Sequence, residues 1–296
     1  KSDPAEVETA LQVMAANNMV ALPAVWDASG NWSKLPFAVD FWAQPEMVSV
    51  LRKYEDRVLL NIANEAGDIS VTSTQFRDGY ASAVQQLRAA GLHMPLVIDA
   101  AYWGRRESDL LDNGQYLLEQ DPDHNLLFSW HPWDPNQPVE RYQQAIDTAK
   151  TRGISMIIGE FSNTGAEGEG AVDYAALIQL AAEREVGWLW WWWWSGSITG
   201  LHQMTTDGNF GNWTNVGEEV ALTNAYSIAA TSQRTHFLQT GACAVAPNPP
   251  PAPNPPSGLQ AVATEGSEIT LSWEDNSDDE KNFDIEVWNN NTQRWQ

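Results

Sequence analysis

Six near-continuous apolar runs, spaced about one βα unit apart, constrain this chain most. They are Val20 to Asp27 (VALPAVWD), Val58 to Glu65 (VLLNIANE), Met94 to Ala100 (MPLVIDA), Asn125 to Trp133 (NLLFSWHPW), Ile154 to Phe161 (ISMIIGEF) and Gly187 to Ser195 (GWLWWWWWS). Their starts lie 38, 36, 31, 29 and 33 residues apart. Apolar runs of this length suit strands buried on both faces, which is the condition of a parallel sheet. Helical patterns fill the gaps, among them Phe76 to Ala90 and Val139 to Arg152, the latter stopped by Gly153. Strand and helix in alternation predict a parallel α/β fold. A doubly wound sheet and a (β/α)8 barrel both satisfy the alternation. No glycine-rich phosphate loop follows any of the runs, which removes support from the nucleotide-binding version. A barrel needs eight strands, so six runs predict a barrel lacking its first two βα units upstream of Lys1. Asn215 to Leu238 reads as the last helix.

The ends look like fragment boundaries. Residue 1 is Lys, and Asp3, Pro4 and Glu6 form a capping-box opening to a helix. Residues 1–246 are expected to form the barrel. Residues 247–256 (PNPPPAPNPP) read as an extended proline-rich linker. Residues 257–296 read as a partial all-β module, with strands at Glu268 to Trp273 and Phe283 to Trp288 around the turn DNSDDE. The LSW, DNSD and F-x-IE pattern of this tail resembles the opening of a bacterial fibronectin type III repeat.

The chain carries 39 acidic against 16 basic residues, a net charge of −23. Phosphate binding needs clustered Lys and Arg, so neither a nucleic acid nor an anionic membrane is an expected partner. A single cysteine, Cys243, excludes a disulfide framework within the chain. That thiol is either free or paired with a cysteine outside the sequence. The sixteen tryptophans, against eight phenylalanines, suit a neutral ligand with apolar faces, such as a sugar.

Polar and aromatic residues collect where the runs end: Asn64-Glu65, His131, Glu160 and Trp194. Barrel enzymes build their sites at that edge. Glu65 and Glu160 stand 95 residues apart, or three βα units, which in a closed barrel sets them across the mouth from each other. Two facing carboxyl groups are what glycosidic hydrolysis requires, one to protonate the leaving oxygen and one to act at the anomeric carbon. The alternative is a pair of solvated charges that help solubility. His93, His124, His202 and His236 show no metal-ligand spacing, so neither a catalytic metal nor any cofactor is expected. If Trp190 to Trp194 is a strand, Trp192 and Trp194 share one face, and three of the five rings are expected in the core. Trp26, Trp103 and Trp133 stand at strand exits and are candidate sugar-subsite walls.

Five ordered segments carry a family resemblance: NIANE (Asn61 to Glu65), VIDAAYWG (Val97 to Gly104), FSWHPW (Phe128 to Trp133), IIGEF (Ile157 to Phe161) and GWL…WSG (Gly187 to Gly196). Together they resemble glycoside hydrolase family 5, and within it the bacterial endo-β-1,4-mannanases. The resemblance implies a retaining (β/α)8 hydrolase with Glu65 as general acid/base and Glu160 as nucleophile. It further implies that Asn64 meets the sugar 2-hydroxyl, that His131 binds sugar and orders the site, and that Trp194 is the stacking platform, with Trp192 beside it. Two positions depart from the family. Where it carries a strand-three His, this chain has Ala24-Val25-Trp26-Asp27, and where a Tyr stands two residues after the strand-six His, it has Trp133. The family's Arg after strand two has no counterpart here.

The expected function is therefore endo-hydrolysis of a β-1,4-linked neutral polysaccharide, mannan first and cellulose or another β-glucan second. A carbohydrate-binding protein without catalysis is the reading of a different class. A secreted monomer acting on polysaccharide is the expected biological form.

Overall fold

The computed structural model describes residues 3–196 and 201–233, together with residue 239 and the segments 256–263, 269–276, 288–289 and 294–295. Cys243, most of the proline-rich linker and residues 277–287 lie outside the described residues. The chain divides into two compact units, Lys1–Leu238 and Gln239–Gln296.

In the first unit the expected parallel sheet forms. Strands β1 (Leu60–Asn61), β2 (Leu96–Asp99), β3 (Leu126–Trp130) and β4 (Met156–Ile158) pair in chain order and all in parallel. Parallel bridges extend the array at both margins, Ala21 to Val58 and Ala24 to Asn61 on one side and Ile158 to Trp188 on the other. All six apolar runs thus take part, in sequence order. A doubly wound sheet reverses its order at a switch point, whereas every step here goes the same way, as in a barrel. Among the described residues no seventh parallel segment joins the array.

Helices α1 (Pro4–Ala16), α2 (Leu35–Trp42), α3 (Pro45–Lys53), α4 (Ser73–Ala89), α5 (Glu107–Gln120), α6 (Val139–Thr151) and α7 (Tyr174–Glu183) precede, separate and cover the strands. Their starts follow local chemistry. Asp3 and Glu6 close the capping box of α1, and Thr72 and Gln75 close that of α4, each pair satisfying donors the helix itself leaves open. Gly153, at φ +65°, ends the turn after α6 as its sequence suggests. Leu60, Leu96, Ile98, Phe128 and Ile158 are fully buried within one continuous core that the helices complete with Phe76, Leu87, Leu117, Ile146 and Leu177. Among the described residues no helix is long and apolar enough to cross a membrane.

The strands are shorter than the runs. Only Leu60–Asn61 of the second run and Met156–Ile158 of the fifth are regular ladder. The carboxyl-terminal residues of each run leave the sheet, and these build the site. The helix expected from Asn215 to Leu238 also differs, as far as it is described; residues 234–238 lie outside the described residues. It spans Asn215–Glu218, widens to a π-helical turn at Glu219–Thr223, and stops at Asn224 before a further turn at Ile228–Thr231. Asn224 causes the break. Its side chain accepts from the Tyr226 N–H and donates to Glu219, a local alternative to continued helix.

Among its described residues the second unit has two antiparallel pairs, β5 (Ser257–Ala263) with β6 (Ile269–Glu274) and β7 (Trp288–Asn289) with β8 (Arg294–Trp295). The expected strand to Trp273 is present. Of the expected strand from Phe283 to Trp288, only its last residue is described.

One buried ion pair ties α4 to the approach to β3. Arg88 meets Asp121 through two parallel contacts of 2.8 and 3.0 Å, and its remaining N–H groups donate to the carbonyls of Leu92, Met94 and Asn125. Removing one member strands the other charge in the interior, at a cost of about 3–5 kcal/mol. Arg88→Ala is therefore expected to lower the unfolding free energy by roughly that amount. Urea denaturation measures it, and an unchanged midpoint would show that the pair is not a structural tie.

Candidate active site

Glu65, His131 and Glu160 meet at the carboxyl end of the sheet. All three are buried, with both carboxylates at 9% exposure and the imidazole at 2%. His131 Nδ1 lies 2.9 Å from Glu65 Oε1 and 3.8 Å from Glu160 Oε2. One donor atom from each of the three residues falls within 4.8 Å of the others. The 95-residue separation is thus closed by topology, because parallel strands deliver all their carboxyl ends to one edge.

Each side chain is aimed by its backbone. Beyond β1 the chain keeps its ladder, with Ile62 N–H on Val97 O and Asn64 N–H on Val25 O, then turns at Glu65 with φ +48°. This left-handed conformation is unfavourable for a side chain with Cβ. Here the Glu65 N–H donates to Asp99 Oδ2 at 2.9 Å. Glu160 follows Gly159, whose N–H donates to Trp130 O. His131 is held by its own N–H on Gly104 O and lies between two glycines. A Cβ on Gly104 would stand 2.5 Å from the imidazole, and one on Gly159 would stand 2.0 Å from Ser129 Oγ and 2.7 Å from His131 Nε2. Any larger residue at either position would displace the ring.

Below the imidazole sits a group that the sequence reading passed over. Asp99 ends β2 with no exposed surface. Its Oδ1 accepts from Asn61 Nδ2 at 2.9 Å and lies 3.6 Å from His131 Nε2, which is also 3.0 Å from Ser129 Oγ. The signal was present in the sequence, since Asp99 is a charged residue closing an apolar run just as Glu65 and Glu160 are.

The charges answer one another. Burial disfavours the imidazolium of His131, but Glu160, Asp99 and the hydrogen bond to Glu65 outweigh it and hold its pKa well above the ordinary value. Burial would also raise the Asp99 carboxyl, yet His131, Asn61 and the Glu65 N–H hold it below its usual range. Glu160 goes the other way. Burial, with Glu65 and Asp99 nearby, pushes it up to about 7 against the pull of His131 and Trp133. Glu65, His131 and Glu160 are also of the residue types that bind metal ions, and in this cluster their contacts are to one another.

Trp133 is buried and its indole N–H points at Glu160 Oε2 across 3.4 Å, so the position that departs from the family still supplies a donor. Behind it lies the ring of His202, at 5.3 Å, whose Nε2 is 2.8 Å from Thr164 Oγ1. Asn64 is buried, and its amide donates to Ser29 Oγ at 3.1 Å. Trp103 lies against Gly30, whose N–H is bonded to Glu65 O. Trp26 is half exposed, one residue beyond the Val25 carbonyl that holds Asn64.

The tryptophan run does not continue as a strand past its bridge at Trp188, so strict alternation is lost. Of Trp190 to Trp194, only Trp190 packs on the core. Trp191, not singled out beforehand, bonds through its N–H to Phe161 O and carries its ring to within 5.3 Å of Trp26. Trp192 stacks on Trp191 at 5.1 Å. Trp194 is 45% exposed and lies over Gly208. Trp26, Trp191 and Trp192 thus form one aromatic group, while Trp194 packs on Gly208.

Residues 8–197 match the cellulase (glycosyl hydrolase family 5) family, and the chain belongs to it. It is 34% identical over 192 residues to a mannan endo-1,4-beta-mannosidase of Salipaludibacillus agaradhaerens, covering 64% of this chain and 61% of that protein. It is 30% identical over 204 residues to a beta-mannanase/endoglucanase A of Caldicellulosiruptor saccharolyticus, covering 68% of this chain and 15% of that one. The chain thus spans less than two thirds of either relative. The mannohexaose complex of Thermomonospora fusca β-mannanase has a similar fold, with a TM-score of 0.72, 27% identity and 80% of each chain covered.

Burial of Glu160 carries a stability consequence. Its pKa rises from 4.5 to about 7 on folding, so between those values the unfolded chain ionises it while the folded chain does not. Its stabilising contribution is full below pH 4.5 and is lost as pH rises through 7. Glu160→Gln is expected to melt higher than the parent at pH 8, by on the order of 5 °C, with the gap closing at pH 4. Calorimetric melts at both pH values check this, and a lower melting temperature at pH 8 would contradict it.

Proposed function

We propose that this site hydrolyses internal β-1,4-mannosidic bonds of mannan with retention, Glu65 acting as proton donor and Glu160 as nucleophile. The observation that carries the reading is the pair of buried carboxylates with oxygens no more than 4.8 Å apart. Retaining hydrolases hold their carboxyl groups about 5–5.5 Å apart, and inverting ones about 6.5–9.5 Å apart to admit water. The names of the three similar proteins, all mannan-cleaving and one also an endoglucanase, support mannan over other β-1,4-glycans.

In the first step a Glu160 oxygen bonds to the anomeric carbon as the glycosidic C–O bond breaks, and Glu65 delivers its proton to the departing oxygen. In the second, Glu65, now a carboxylate, takes a proton from water. The water oxygen bonds to the same carbon and Glu160 leaves as a carboxylate. Before substrate enters, His131 stands closer to Glu65 than to Glu160, which favours the shared proton on Glu160. Substrate reverses this. A glycosidic oxygen offers Glu65 an acceptor for its proton, and positive charge growing at the anomeric carbon favours an ionised Glu160. The group of Trp26, Trp191 and Trp192 offers apolar ring faces for the sugar chain. The polymer is too large to cross a membrane, so we place the working protein outside the cell. We read β5 and β6 as the opening of a fibronectin type III-like module.

Reducing-end release from mannan and from carboxymethylcellulose tests the substrate, with mannan expected to be cleaved at least about tenfold faster, a difference of roughly 1.4 kcal/mol in the barrier. Preference for carboxymethylcellulose would favour the glucanase reading. Glu160→Ala is expected to abolish release from both, and retained activity would remove Glu160 as nucleophile.

The pH dependence follows from the shared proton. The reactive pair holds one proton, and above about 7 that proton is lost. The rate constant kcat/KM is expected to fall on the alkaline side with a midpoint near 7. A profile flat to pH 9 would show that the pair does not titrate as a unit.

A further inference from the structure

We infer that Asp99 is a positioning residue for the proton donor, clamping the strand-end peptide of Glu65 and the ring of His131 in one contact set. The inference rests on the reading of Glu65 as the acid. Nothing in the double-displacement steps uses Asp99, yet it is a fully buried carboxyl beneath the reacting groups.

The geometry shows what it holds. Oδ2 takes the N–H of Glu65 at 2.9 Å, the residue whose backbone is turned into the left-handed region. That turn sends the Glu65 side chain toward His131 and not along the strand. Without a fixed acceptor at its N–H, the peptide is free to relax to a more favourable φ, and the carboxyl group would swing with it. Oδ1 is fixed by Asn61 Nδ2 and lies 3.6 Å from His131 Nε2, while the far side of the same ring touches Glu65 Oε1. Asp99 therefore reaches the acid along two routes, through its peptide and through the ring that contacts its side chain.

Only a carboxylate fits both contacts. Each oxygen faces an N–H, from Glu65 on one side and from Asn61 on the other. An amide of the same shape has one acceptor atom: turned to the Glu65 N–H it sets its NH2 against the protonated ring of His131, and turned to the ring it sets that NH2 against the Glu65 N–H. Asp99→Asn is thus nearly isosteric and still opens the clamp.

A residue that serves only the fold would slow all substrates alike. One that acts through the acid must matter most where the leaving group needs a proton. In Asp99→Asn, kcat for mannan and for phenyl β-mannosides is expected to fall about 100-fold, the cost of roughly 1 Å of misplacement, with KM changed by less than about threefold. For 2,4-dinitrophenyl β-mannoside, whose leaving group needs no proton, the glycosylation step should fall by less than about fivefold. In a Glu65→Ala background, Asp99→Asn should add less than about threefold. Equal losses on both leaving groups, or additive losses in the double variant, would overturn the proposal. Glu65→Ala alone separates the two readings. If it lacks leaving-group dependence, the acid assignment fails and takes this inference with it. If it shows that dependence while Asp99→Asn adds fully to it, Asp99 alone is refuted. Should Asp99→Asn not fold, Asn61→Leu keeps Asp99 and removes its Oδ1 anchor. It should show the same leaving-group pattern at about tenfold, and uniform losses there would overturn the proposal.

Discussion

Charge taken out of water has to be answered by charge or hydrogen bonds, and this constraint organises the site. Glu65, Asp99, His131 and Glu160 are each nearly or fully removed from solvent. An isolated carboxylate in such surroundings would simply take up a proton. Here one imidazolium lies within 4 Å of an oxygen from each of three carboxyl groups, so two can stay ionised while the third carries the proton. The arrangement depends on parallel register. Successive strand residues face opposite sides, so a slip of one residue in β2 or β4 would turn Asp99 or Glu160 away from the ring.

The sheet and most helices are legible in the sequence because burial on both faces leaves a plain trace, an apolar run of fixed spacing. Cap chemistry is equally plain, as Asp3 with Glu6 and Thr72 with Gln75 show. Glu65 and Glu160 stand out because a charge closing an apolar run is costly unless something answers it. Asp99 obeys the same rule, but two further small apolar residues, Ala100 and Ala101, follow it and blur the end of its run.

What the sequence hides has local causes. Five consecutive tryptophans carry no register, since every position is apolar and no polar partner marks a face. The backbone settles it: Trp191 N–H bonds to Phe161 O and Trp192 N–H to His202 O, so neighbouring rings stack instead of alternating. The last helix reads as continuous by hydrophobic spacing, but a single Asn side chain breaks it at Asn224. The glycines around His131 are ordinary in sequence, and only the 2.0 and 2.5 Å approaches show why Gly159 and Gly104 tolerate no side chain.

Trp133 bears on how the proton is apportioned. A phenol at that position could donate to an ionised carboxylate or accept from a protonated one, whereas an indole only donates. Trp133 therefore favours the ionised form of Glu160, opposing the burial that pushes its pKa up. His131, 3.8 Å from Glu160 and hydrogen-bonded to Glu65, pulls on Glu160 in the same direction as Trp133. Burial on one side and these two donors on the other leave Glu160 at about 7 before substrate arrives. Under the proposed roles, that balance lets a sugar's own oxygen and developing charge decide where the proton sits, so the protonation state needed for bond cleavage forms in the complex that uses it.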